Sequence, residues 1–184
     1  MQANLPGESP ELGGGASATS DGALQAAIET TRRFREAAQA GDVEGVLATL
    51  AEDVVLRSPI TDRVTFHGHE EVRELMRTVF ATLADIEYFA DVGDARTRAL
   101  FDRAVVSGQP LEQAIRVELD QRAQIAELTI FFRPLPGLVA LTAGLGPRLA
   151  ARRHGRAREL LARALLAPLA AATRAGDRLA RWLT

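Results

Sequence analysis

The sequence predicts an α+β fold in which helices cover one face of an antiparallel sheet. The first observation is the stretch from Ala99 to Arg133, which reads as three consecutive strands joined by two short turns. Leu111, Gln113, Ile115, Val117 and Leu119 alternate with Glu112, Ala114, Arg116, Glu118 and Asp120, and Leu128, Ile130 and Phe132 alternate with Glu127, Thr129, Arg133 and one apolar exception, Phe131. A period of two with one apolar and one charged side describes a sheet covered on a single face. The second is the turn chemistry of Ser107-Gly108-Gln109-Pro110 and Asp120-Gln121-Arg122-Ala123. The third is that apolar residues earlier in the chain recur at helical spacing, as cover for such a face would.

In chain order, Met1 to Ser20 is rich in Gly, Ser and Pro and carries almost no large apolar residue, so disorder is expected over 1–20. A first helix is expected from an Asp21 cap through Leu24, Ala27, Ile28, Thr31, Phe34 and Ala38 to Gly41. Asp42 caps a short second one through Val46, Leu47 and Leu50. Asp53 to Pro59 reads as a strand ended by proline, and Ile60 to Phe66 as a loop or short hairpin arm. Gly68 to about Leu83 is a third helix with a stripe of Val72, Leu75, Met76, Val79, Phe80 and Leu83. Asp85 to Val92 is a strand, Gly93-Asp94 a turn, and the three-strand meander follows. Beyond Pro134, Leu138 to Leu145 reads as a short apolar helix ending at Gly144 or Gly146. Arg156 to Trp182 reads as one long helix rich in Ala and Arg, bent near Pro168 and Gly176.

A chain of 184 residues is long enough to bury a core of its own. It has no cysteine, which removes disulfides, thiolate metal sites and cysteine nucleophiles. All 22 basic residues are arginine, a composition that points to a GC-rich bacterial genome and excludes lysine Schiff-base chemistry and a lysine phosphate loop. No signal-peptide pattern opens the chain and no apolar run reaches the roughly 18 to 20 residues a bilayer needs, so a cytoplasmic location is expected. The net charge of −2 is unevenly spread: 13 Arg face 22 acidic residues up to Pro147, and 9 Arg face 2 from Arg148 onward. Residues 150–184 therefore form an appended basic amphipathic segment, expected to pack on the domain or a second subunit, or to lie on a membrane surface. Nucleic acid is not expected, because aromatic residues do not interleave with the arginines.

The element order, with LATLAEDVVLRSP after the second helix, FHGHEEV opening the third and LDQRAQIAELTIFFRPL closing the sheet, resembles the nuclear transport factor 2-like superfamily in its SnoaL-like, polyketide-cyclase-like branch. The resemblance spans about Ala23 to Leu149, giving a domain over 21–149. It implies a cone-shaped, strongly curved antiparallel sheet whose three N-terminal helices enclose a pocket. It also implies an activity drawn from cyclases, isomerases, epoxide hydrolases and dehydratases, or none, since the family includes binding and dimerisation modules. No cofactor is implied.

Asp102 is the candidate catalytic residue. Leu100, Asp102, Ala104 and Val106 lie on one side of their strand and Phe101, Arg103, Val105 and Ser107 on the other, and this pattern alone does not choose the inner face. The resemblance favours the Asp102 side, where an apolar cup would raise the carboxyl pKa and make it a general acid or base near neutral pH. Ser58 and Tyr88 are candidate polar groups of the pocket, with Leu56, Ile115, Ile130 and Phe132 as its apolar lining. Ile115 and Ile130 stand where relatives carry acidic residues, so the epoxide hydrolase Asp-Arg-Asp arrangement is not preserved. His67 and His69 flank Gly68 beside Glu70 and Glu71, but without a third ligand at defined spacing they imply no metal. The expected function is binding of a small hydrophobic molecule, with isomerase, cyclase or dehydratase chemistry through the inward carboxylate. The alternative is a non-catalytic dimerisation or ligand-sensing module whose basic helix docks on a partner or membrane. By resemblance the outer sheet face, with Phe131 and Thr129, is the expected homodimer surface.

Overall fold

The computed structural model describes residues 14–61 and 63–154, with side chains over 20–61 and 63–146. The elements run α1 (Gly14–Ala40), α2 (Val43–Leu47), β1 (Leu50–Arg57), β2 (Thr65–His67), α3 (Gly68–Phe80), β3 (Ala84–Gly93), β4 (Thr97–Val106), β5 (Gln109–Leu119), β6 (Ile125–Arg133) and α4 (Leu135–His154). The six strands form one curved, unclosed sheet in the order β2-β1-β6-β5-β4-β3. The long helix expected over 156–182 lies outside the described residues. No helix among the described residues is long and apolar enough to cross a membrane.

The meander forms where alternation placed it. Its β4–β5 turn is two residues long, with Ser107 at φ 50° and Gly108 at φ 74°, the double left-handed geometry that matches strand twist in a tight hairpin. Cross-strand rows then follow from the register: Leu100, Ile115 and Ile130 form one inner row, and Asp102, Gln113 and Phe132 the next. Helices α1, α2 and α3 cover this inner face, packing Phe34, Val46, Val72 and Leu75 against Leu56, Leu100, Ile115 and Leu128. Asp42 caps α2 by accepting from the Gly45 amide at 3.0 Å, and Gly41 leaves α1 at φ 67°.

Three expectations need correction. The sheet is mixed, because β1 pairs in parallel with β6 while its other contacts are antiparallel. The chain between these strands, with α3 and the meander, is long enough for β6 to return alongside β1 in the same direction. Helix α1 begins at Gly14, so Asp21 lies inside it and residues 14–20 are helical where disorder was expected; the good helix formers Ala16 and Ala18 extend it outward. Finally, α4 is a continuous helix through Gly137, Gly144 and Gly146. Its apolar side, Val139, Ala140, Leu141 and Leu145, is buried, and packing against Ala104, Val106 and Leu111 outweighs a glycine cost of about 1 kcal/mol per residue.

Candidate functional site

Between the sheet's inner face and α1, α3 and α4 lies a cavity of about 370 Å³, within the size range of small-molecule sites. Leu56, Ser58, Tyr88, Ile115, Ile130 and Phe132 all line it. Helix α3 adds Leu75, Met76, Val79 and Phe80, and the β1–β2 loop adds Pro59, Ile60, Thr61 and Val64. Among the described residues, no charged side chain lines it; the polar ones are Ser58, Thr61, Tyr88 and Gln113. Ile115 and Ile130, the two departures from an acidic pattern, make this part of the wall hydrocarbon.

Ser58 sits just past β1, where its amide donates to the Val64 carbonyl and its hydroxyl accepts from the Ile60 amide. It thus shapes the β1–β2 loop as well as facing the cavity. Tyr88 packs edge-on against Phe34, with ring centroids 6.5 Å apart. Its amide, on the edge strand β3, donates to Gln39 Oε1 of α1. Burial raises the phenol pKa well above its ordinary value; the Asp102 charge adds to this and Arg35 opposes it. Tyr88 is therefore a protonated hydroxyl at any ordinary pH.

Asp102 points to the inner face and is fully buried. Its cross-strand neighbours are Tyr88 on β3 and Gln113 on β5. Gln113 Nε2 donates to Asp102 Oδ1 at 2.5 Å, whereas Oδ2 has no partner among the described residues. Burial raises the carboxyl pKa to about 7, against a downward pull from Gln113. Asp102 is not itself on the cavity wall; its two flanking neighbours are. The arrangement is a proton-exchanging carboxyl one side chain deep behind an apolar wall, with Gln113 and Tyr88 at the surface a ligand would meet.

Gln113 was missed as a site residue, although a polar residue on the apolar side of a strand was a visible signal. A second buried carboxylate, Asp91, was missed as well. Arg98 grips it through Nε and Nη2 at 2.8 Å each, Thr31 Oγ1 donates at 2.7 Å, and Arg35 Nε lies 3.4 Å away. This cluster joins α1 to β3 and β4. His67 Nε2 pairs with the Thr65 hydroxyl and His69 Nε2 with the Leu50 carbonyl, so the two rings serve different strands.

The family model described as a SnoaL-like domain matches residues 31–109. Among solved structures, the chain is similar to a steroid delta-isomerase from Pseudomonas aeruginosa, with 26% identity over 69% of this chain and 93% of that one and a TM-score of 0.62. It is similar in fold to a protein with a cystatin-like fold from Silicibacter pomeroyi DSS-3, with 24% identity over 73% and 92% of the two chains and a TM-score of 0.62. It is similar in fold also to an epoxide hydrolase/cyclase-like enzyme of pyran ring formation in polyether salinomycin, with 15% identity over 59% and 92% of the two chains and a TM-score of 0.52. No curated protein matches the chain by sequence.

Proposed function

For a chain that carries a SnoaL-like domain on the nuclear transport factor 2-like fold, we propose binding of a small, neutral hydrophobic molecule in the cavity and proton transfer on it through Asp102. The observation that carries this reading is the Asp102 carboxyl: fully buried, with a single amide bond and an Oδ2 that has no partner among the described residues, beside a wall whose described side chains are uncharged. With a pKa of about 7 it supplies both the base and the acid form at neutral pH. Oδ2 is the atom that takes or returns the proton once the Tyr88 and Gln113 side chains that separate it from the cavity give way to the ligand. Tyr88 keeps its hydroxyl proton and can donate to an oxygen on which charge develops. The likeness to a steroid delta-isomerase supports isomerase-type chemistry, a proton moved between carbons of a ketone.

The test uses β,γ-unsaturated ketones, whose conversion to conjugated enones is followed by ultraviolet absorbance. Asp102→Asn is expected to lower turnover by at least ~10²-fold while Nile red binding to the cavity changes only a few-fold. Turnover indifferent to the substitution removes the catalytic part of the reading.

A second reading, a self-associating binding module, is favoured by the outer sheet face. Phe101, Ala114 and Phe131 form one cross-strand row, extended by Phe89, which packs on Phe101 with ring centroids 6.3 Å apart. Phe89 and Phe131 are 57% and 56% exposed. The neighbouring row, Glu87, Arg103, Glu112 and Arg133, alternates in sign across four strands. A second copy turned over about the strand direction sets each Arg against a Glu, so the occupant is this chain itself. Light scattering should give a dimer for the native chain and a monomer for Phe131→Arg; a native monomer overturns this reading.

A further inference from the structure

We infer that α4, through Leu141 and Leu145, is the end wall that sets the length of ligand the cavity accepts. The inference rests on the ligand-binding part of the proposed function and not on catalysis. Leu141 and Leu145 are buried and line the cavity, with Gly146 beside them. They pack with Leu83 and the Ala104–Leu111 row, which is the next inner row after Asp102 and Gln113. A ligand that places a polar group at Gln113 and extends past it meets these two leucines.

The helix is held there by close approach. A Cβ at Gly137 would collide with the Pro110 carbonyl oxygen, so any other residue would push α4 off the start of β5. A Cβ at Gly144 would lie 2.8 Å from Thr82 Cγ2, just beyond α3. The helix is therefore seated against the sheet and against the end of α3 at positions seven residues, about two turns, apart. A wall so anchored yields little to an oversized guest.

The test measures binding of 2-alkanones from six to fourteen carbons to the full-length protein, by displacement of Nile red. Each methylene that stays inside should tighten binding by about fourfold, up to a length at which affinity stops rising. Leu145→Ala and Leu141→Ala should move that length up by about two or three carbons, the bulk each change removes. Leu145→Phe should move it down, and Leu145→Val, the mildest change, up by about one carbon. Val92→Ala, exposed near the end of β3 and not among the lining residues, should leave it in place. A limit that stays put in the Leu145 variants, with melting curves confirming that they fold, overturns the inference and leaves the binding reading intact. A native protein that binds no alkanone overturns both.

Discussion

Asp91 and Asp102 lie on neighbouring strands, both buried on the inner side of the sheet, and they have opposite surroundings. Asp91 receives a two-pronged contact from Arg98, a hydroxyl from Thr31 and the proximity of Arg35. Asp102 receives one uncharged amide. The first carboxylate has its charge answered and fastens α1 to the sheet. The second has none answered, and burial makes it hold its proton up to about pH 7. Location in the fold does not separate a structural carboxylate from a chemical one here; the position of the arginines does.

The comparison can be broken most severely from the Asp91 side. Arg98→Met leaves a buried carboxylate without its main partner and should cost about 3–5 kcal/mol of stability, read from urea unfolding at neutral pH. A loss below about 1 kcal/mol would mean that Arg35 alone can answer the charge.

Asp102→Asn should act in the opposite direction and depend on pH. The folded-state pKa is raised from 3.8 to about 7, so the folded protein holds this proton more tightly than the unfolded chain. The stability linked to that proton is fully present below about pH 4 and is lost as pH rises towards 7 and beyond. The Asn variant carries no such loss. It should match the native protein near pH 4 and exceed it by up to ~4 kcal/mol at pH 8, measured by denaturant unfolding at several pH values. A difference that does not change with pH would mean that Asp102 does not titrate in this range.

The smallest effect sharpens the contrast. Gln113→Leu removes the one bond that lowers the Asp102 pKa. It should shift the carboxyl infrared titration above pH 7 and cost about 1 kcal/mol at neutral pH. An unmoved titration would separate Gln113 from the chemistry of Asp102.

Much of the fold was legible because it is written in local periods. The alternation of Leu111 to Leu119 and the stripe of Val72, Leu75 and Met76 need no knowledge of distant residues. The parallel pairing of β1 with β6 carries no such signature, since it depends on where a remote strand returns. The full extent of helix α4 was concealed because Gly144 and Gly146 read as its end, whereas Gly144 lets the helix pass close to Thr82. At the site, the apolar lining and the inward side of Asp102 followed from alternation and resemblance together. Gln113 sat in the apolar register and was passed over. Arg98 and Asp91 fall seven residues apart on two strands, and only the β3–β4 hairpin brings them into contact.

Gln39 has a consequence for how the molecule behaves in company. Strand β3 is the last in the sheet, and rims of this kind invite a passing chain to add itself. At Tyr88 the invitation is withdrawn, because a glutamine from α1 already occupies the amide. Fibril growth by stitching strand onto strand meets a stopper at that point of the rim, secured by the same helix that roofs the cavity.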